Sequence, residues 1–558
     1  MSFALSAGVT GLQAHQKMLD IAGNNLANVN TTAFKTSRVT FSELLSETIQ
    51  KASQPTSTSG GTNPQQMGSG VGISGISPNM TQGNIVNTGN SLDVALEGEG
   101  YFVLSDGSQN LYTRAGAFAV DADSNLVDPA TGYRVQRIGN VGESDGFQIA
   151  GVSDIHVPYD VTMEANATTS ITVQGNLSAD GALVTPQAQK LVSNITYTTS
   201  NGTAAEDSTL ISALDQFSGS LNSATLSVSG YKRDGTALTD TGLSVTATTD
   251  LNDLIAHLNT VLDSGNNATA SLVNGRIVIT DDTTGYSRSD AELTYADGTS
   301  STLTTPAYFE MATVGGEEVK EMSITAYDSV GGKHVLSGAF VRTDTPNTWD
   351  MVLTSVTGNI SEITMDNRRI RSIEFDASDG SYTGLNATVG DTPQFEVTFG
   401  HDTSPQTITI SMGTVGKFDG LTQLAGSSTA VASKQDGYES GRLSSVSVDN
   451  EGIVIGSFSN GIKKNIATIQ IGLFQNASAL ENVGSGYFTP SANSGVAMAT
   501  QARISGAGTV HGGALEKSNA DVATEFVAMI QAQSGFQANA KTIKVASEIL
   551  QELTSLIT

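Results

Sequence analysis

Val522, Met529, Phe536, Ile543, Leu550 and Ile557 recur every seven residues along the C-terminal stretch of this chain. Phe526, Ile530, Ala540, Ile549 and Leu553 widen the stripe. A sustained 3.5-residue period argues for an α-helix, and it is the pattern by which helices wind around one another as a coiled coil. Gly535 alone interrupts it, and no proline does. Ser518 and Asn519 are placed to cap its start, while Asp521 and Glu525 suit the positive end of the helix dipole. The N-terminal stretch repeats the device. Leu5, Leu12, Leu19 and Leu26 stand seven apart, with Val9 and Met18 beside them and no proline before Pro55. This predicts a helix over residues 3–28, about 40 Å long at ~1.5 Å per residue. Two such helices have two solutions. They pair with each other and offer their remaining apolar surface to neighbouring molecules, or they form a two-helix cap on the main domain.

Between the ends the period drops to two. Leu92, Val94 and Leu96 alternate, as do Tyr101 and Val103, and Ile469, Ile471 and Leu473. Asp106-Gly107, Asn274-Gly275, Asp379-Gly380 and Asn460-Gly461 mark turns between strands. One central helix is expected behind Asp250, with Leu251, Leu254, Ile255, Leu258, Val261 and Leu262 on one face. Residues 52–75 are rich in Ser, Thr, Gly and Gln and predict an extended connector.

The formal charge of -28 comes from 27 Lys plus Arg against 55 Asp plus Glu, and it is unevenly placed. Residues 1–51 sum to +1 and residues 501–558 to -1, so residues 52–500 carry all of it. Neutral ends can pack against copies of themselves, while an acidic middle stays solvated. The acidity argues against a nucleic-acid partner, which needs clustered Lys and Arg. The absence of cysteine excludes disulfide scaffolds, zinc ribbons, iron–sulfur clusters and thiol nucleophiles. At roughly 150 residues per domain, 558 residues predict three or four domains. No stretch approaches the ~18 apolar residues of a membrane span. Charged residues make up only 15% of the chain and glycines number 59, a balance typical of secreted β-rich proteins. The start, Met1-Ser2-Phe3-Ala4-Leu5-Ser6, has neither a basic region nor an apolar run, so export without a cleaved signal peptide is expected.

Motifs of chemistry dissolve on inspection. Gly70, Gly72 and Gly75 match GxGxxG, but no buried strand precedes them and Pro78 blocks a following helix. Asp121, Asp123 and Asn125 open like a calcium loop, but Leu126 and Gly132 stand where Gly and Glu are needed, which leaves a turn. The six histidines (15, 156, 257, 334, 401 and 511) are dispersed without an HExxH. No nucleophile elbow or phosphate loop is present. The residues give no reason to expect an enzyme, a cofactor or a metal.

Longer blocks carry a resemblance. Ser6-Ala7-Gly8-Val9-Thr10-Gly11-Leu12 leads to Asn24-Asn25-Leu26-Ala27-Asn28-Val29-Asn30-Thr31-Thr32-Ala33-Phe34-Lys35. The asparagines cluster where the helix must end, with amides free to bond local backbone or neighbouring chains. Gln82-Gly83-Asn84, Thr88 to Leu96, Gly98-Glu99-Gly100-Tyr101-Phe102 and Tyr112-Thr113-Arg114-Ala115-Gly116 follow. Ser518-Asn519-Ala520-Asp521-Val522, Glu525-Phe526, Met529-Ile530, Ala532-Gln533 and Gly535-Phe536-Gln537-Ala538-Asn539 close the set. In order and spacing these blocks resemble the bacterial flagellar axial family of rod, hook and hook-associated proteins. Ala326-Tyr327-Asp328-Ser329-Val330-Gly331-Gly332-Lys333-His334 and Val446-Ser447-Val448-Asp449-Asn450-Glu451-Gly452 are similar to segments of its hook members. The rival placements are a hook–filament junction or distal rod protein, and outside the family a secreted adhesin or surface-layer subunit.

The resemblance implies an α+β multidomain fold in which the terminal helices pair as a coiled coil and nested, mainly-β domains lie between them. The implied divisions are 1–30 with 518–558 as a helical inner core and 31–75 with 495–517 as a connector. A β domain then spans 76–159 with 426–494, an outer β domain 160–190 with 316–425, and an additional module 191–315. The implied function is that of a subunit of a curved hollow tube, a universal joint carrying motor torque from rod to filament, outside the cell. Its partners would be copies of itself, the distal rod, hook cap and junction proteins, and the flagellar type III export apparatus. Self-assembly is expected to fall on Leu5, Leu12, Leu19, Leu26, Val522, Phe526, Met529, Phe536, Ile543, Leu550 and Ile557 of the stripes. Asn24, Asn25, Asn28, Phe34, Gln533 and Gln537 join them from the matching blocks.

Overall fold

A computed structural model of the chain describes residues 3–180, 185–298, 300–386 and 392–557, with side chains as far as Ser555. It divides into two compact units, Met1–Met163 with Arg442–Thr558 and Glu164–Gly441. Among the described residues strands dominate, and three α-helices are present: α1 (Phe3–Ala27), α2 (Leu251–Val261) and α3 (Val522–Ile557). Among the described residues no helix is long and apolar enough to cross a membrane.

In the first unit the stretch expected as an extended connector folds back on itself. Ser37–Glu43 pairs antiparallel with Val71–Pro78, and Ser46–Gln50 with Gln65–Gly68. The resulting long hairpin has no fully buried residue, because a Ser/Thr/Gly/Gln-rich sequence has little to bury. Its GxGxxG glycines lie in or beside a strand, and none of them leads into a helix. Beyond the hairpin, Tyr101–Ser105 runs through a nine-stranded sheet. Tyr101, Phe102, Val103 and Leu104 are all buried, so both faces of this strand are covered. Tyr101, Val103, Tyr112, Leu480 and Phe488 form one cluster, with Tyr101 and Phe488 edge to face at 5.9 Å. Ile471–Leu473 joins the same sheet beside Tyr101 and Phe102, although it lies far away in sequence. The chain then threads back along its own start: Thr509–Gly512 pairs with Val94–Glu97, and Ala514–Glu516 with Ile85–Asn87.

The second unit contains a five-stranded antiparallel sheet and a six-stranded sheet built around Ser170–Ser178. Their core holds Trp349, Phe340, Phe395 and Phe399, each fully buried. α2 forms where expected. Asp250 accepts from Asp253 N at 2.9 Å and the Asp253 carboxylate accepts from Asp250 N at 3.3 Å, which completes a capping box. Leu254 and Leu258 of α2 join Ile277 and Phe309 in a core that also contains Ala339, Val341 and Val352 of the five-stranded sheet. Asn274 and Gly275, both with positive φ, close the tight hairpin between Ala268–Val273 and Arg276–Asp281.

Buried charges fasten this shared core. Arg368, 1% exposed, donates Nη1 to Asp290 Oδ1 at 3.1 Å and Nε to the Leu353 carbonyl at 2.8 Å. Burial raises the Asp290 carboxyl above the usual carboxylate range, against the pull of Arg368. Asp350 accepts from the Tyr286 hydroxyl at 2.5 Å and from Arg369 Nη1 at 3.2 Å. Removing one partner of a buried pair leaves the other uncompensated, at about 3–5 kcal/mol. Arg368→Ala is therefore expected to lower the unfolding midpoint of the second unit by roughly 10 °C in scanning calorimetry of the full chain. An unchanged midpoint would show that the pair carries no such weight.

Candidate assembly interface

α1 and α3 pack together antiparallel, and glycine sits at the closest approaches. Any Cβ on Gly11 would lie 2.7 Å from Asn539 Oδ1, and on Gly8 2.9 Å from Ile543 Cγ1. On Gly535 it would collide with the His15 ring. Asn25 meets Glu525 at the far end. The fully buried positions of α1 are Gly8, Gly11, Ala14, Ala22 and Asn25, and Ala532 is fully buried on α3. Small residues at steps of three and four let two helix backbones approach closely. Gly23 stands outside this seam, with nothing within 4 Å of where its Cβ would be.

Most large residues of the sequence stripes are displaced from the seam; Ile543, packed on Gly8, stays in it. Leu5, Leu12, Leu19, Leu26, Met529, Phe536 and Ile543 are half-buried, while Val522, Phe526, Leu550, Gln533 and Gln537 are exposed. The Ile557 side chain lies outside the described residues. Phe526 at 49%, Ile530 at 60% and Ile549 at 62% exposure leave α3 with an apolar surface that this chain does not cover. Such a surface marks an interaction site.

Asparagines organise the end of α1. Asn28 donates Nδ2 to the Asn24 carbonyl at 2.9 Å, satisfying a group left open by the helix terminus. Asn25, 2% exposed, accepts from Ser37 N and donates to Ser37 O, both at 3.0 Å, and donates to Glu525 Oε1 at 3.1 Å. One buried amide thus turns the chain back along α1 and ties α1 to α3. Asn24 is exposed, Asn28 and Phe34 half-buried. The expected caps of α3 have other work. Asp521 accepts from Thr524 N at 3.0 Å and so fills the capping place. Asn519 accepts from Thr36 N at 2.8 Å and donates to the carbonyls of Asn79 and Thr81.

Where both chain ends leave the helix pair, they are joined by a buried ion cluster. Glu516, 0% exposed, accepts from Lys35 Nζ at 2.6 Å and from Gly83 N at 2.8 Å, and Arg114 Nη1 lies 3.7 Å from its other oxygen. Its carbonyl accepts from Ala33 N at 2.8 Å. Lys35 also donates to the Thr81 carbonyl at 2.9 Å, and Arg114 to the carbonyls of Leu96 and Gly98. Burial lowers the Lys35 and Arg114 pKa values, with Glu516 pulling both back up. The cluster gathers residues from three of the blocks read in the sequence, but Glu516 itself stands in none of them. The small-residue seam was also unread, although Gly8, Gly11, Ala22 and Asn25 share a register with steps of three and four. Among the described residues no group of His, Asp or Glu is disposed to hold a metal ion.

Four families match in chain order. Residues 5–35 match the family described as flagella basal body rod protein, and 95–179 the flagellar hook protein FlgE/F/G D1 domain. Residues 296–438 match the flagellar basal body protein FlaE D2 domain, and 511–556 the flagellar basal body rod FlgEFG protein C-terminal family. The flagellar hook protein FlgE of Treponema pallidum is 30% identical, with 100% of each chain covered. That of Borreliella burgdorferi is 29% identical, again over 100% of each chain. That of Escherichia coli is 24% identical over 99% of this chain and 100% of the relative.

The seam predicts different fates for two glycines of α1. Gly11→Leu drives a side chain into Asn539 and is expected to abolish pairing of the terminal helices, read as lost helical circular dichroism in the assembled protein. Gly23→Ala is expected to keep the pairing and to gain up to ~1 kcal/mol of helix propensity. Equal behaviour of the two variants would contradict the seam.

Proposed function

This chain belongs to the flagellar hook protein family and is a structural subunit of the hook, and from that premise we propose how its two ends build the polymer. The paired helices form the inner layer of a curved hollow tube, and the apolar residues they leave exposed are buried by the helices of neighbouring copies. Coiled-coil packing is completed between subunits at Val522, Phe526, Met529, Phe536, Ile543 and Leu550. Leu5, Leu12, Leu19 and Leu26 of α1 contribute from the other helix. The observation that carries this reading is the apolar surface of α3 that α1 leaves uncovered, with Phe526, Ile530 and Ile549 exposed. Apolar burial at ~25 cal/mol per Å² supplies the cohesion, since the chain has no cysteine for covalent links.

The mechanical role follows from how the units are joined. The chain crosses between them twice, at 163–164 and at 441–442. Twisting is resisted by the helical layer, and bending is taken up at these crossings, so the tube works as a universal joint carrying torque from rod to filament. The second unit, with its own apolar cores and buried ion pairs, moves as one body. The divisions read from the sequence place 1–30 with 518–558 in the inner layer and 191–315 outermost. The chain's ends would meet the distal rod protein below and the hook–filament junction protein above, with the hook cap protein at the growing tip. Export would run through the flagellar type III apparatus. Its work is mechanical, not catalytic.

Electron microscopy of the purified full chain tests this reading. Short curved tubes are expected from the unsubstituted protein. Phe526→Asp and Ile530→Asp place charges where a neighbour's apolar surface should land, and each is expected to reduce tube yield at least tenfold. The calorimetric transitions of the β-rich parts should stay unchanged. Normal tubes from both variants, or a flat lattice from the unsubstituted chain, would contradict it.

A further inference from the structure

The antiparallel pairing has a fixed register. Gly11 meets Asn539, His15 meets Gly535 and Asn25 meets Glu525, so each step up α1 is one step down α3. Phe3, where α1 begins, is then level with a point near residue 547. About the last ten residues of α3, some 15 Å at ~1.5 Å per residue, run past it without a partner helix. Ile549 and Leu553 are 62% and 55% exposed there, and Glu548 and Glu552 lie beside them.

The opposite end of the helix pair carries a recess. A groove of about 960 Å³ opens where α1 ends, walled by Met18, Ile21, Val39, Phe41 and Pro78, with Arg38 among its residues. Its carboxylates are engaged within the chain: Asp521 accepts from Thr524, and Glu525 from Asn25. Arg38 is exposed and has no carboxylate partner among the described residues.

We propose that the unpaired last turns of α3 from one copy of this chain dock into the groove of the next copy. Ile549 and Leu553 lie against the Val39–Phe41 wall, and Glu552 pairs with Arg38. Knob and groove sit at opposite ends of the same element, so the contact is head to tail and leaves a free knob and a free groove on every growing stack. A contact of this kind extends into an open helical polymer where its rotation does not close a ring. The separation between residue 553 and residue 525 sets the step between stacked copies at about 40 Å. The inference rests on the polymer reading above and adds which surfaces meet.

The cysteine-free sequence makes the contact directly testable. Val39→Cys with Leu553→Cys, assembled and then oxidised, should give a disulfide ladder on a non-reducing gel, which neither single variant gives. Arg38→Glu should reduce polymer yield at least tenfold, and adding Glu552→Lys should restore it to within about twofold. Tubes that show no ladder and no rescue would overturn the docking while leaving polymer formation by this chain intact. A ladder from Val39→Cys with Leu45→Cys in place of Leu553→Cys would put a neighbour's hairpin in the groove and overturn it as well. If the unsubstituted chain forms no polymer, both readings fall.

Discussion

The close approach of α1 to α3 is the constraint from which the rest of the molecule follows. Each close approach needs a residue without a bulky side chain on one helix, and Gly8, Gly11 and Gly535 admit Ile543, Asn539 and His15 of the other. The large apolar residues are thereby turned outward, and the subunit cannot bury them alone. Under the proposed function, monomer geometry and polymer cohesion are two consequences of one seam.

That seam joins residues some five hundred positions apart, and something must hold the ends together before the helices begin. Closing a loop of the 481 residues that separate Lys35 from Glu516 costs about 5 kcal/mol on the (3/2)RT ln n scaling. The strand pairs at 85–87 with 514–516 and 94–97 with 509–512 bear on this cost, and the Glu516 cluster locks them in register. The second unit behaves oppositely. Its buried carboxylates Asp290 and Asp350 find arginines within the unit, and its aromatic core is closed. The first unit leaves large apolar residues of α3 exposed, while the second encloses its aromatic core.

The sequence made the helices and turns visible because they rest on local patterns. The heptads placed α1 and α3, Asp250 placed α2, and Asn274-Gly275 placed a hairpin. The seam was harder to see because large residues dominate a periodicity, while the contact is made by residues that contribute almost nothing to it. The long hairpin was missed because none of its strand residues is fully buried, and the alternation of Val39 with Phe41 and of Val71 with Ile73 is too short to stand out. Glu516 escaped because a buried ion cluster is assembled by tertiary structure from residues with no common spacing. Under the proposed function the heptad positions keep a role at another level, as surface offered to other copies.

Hydrogen exchange compared between monomer and polymer tests the central claim most directly. If the helix ends are satisfied only in the assembly, amides of residues 3–27 and 522–557 should gain protection of at least a hundredfold on polymerisation. Those of Trp349, Phe395 and their sheet neighbours in the second unit should change little. Terminal helices equally protected in the monomer, or protection gained mainly in the second unit, would contradict the account.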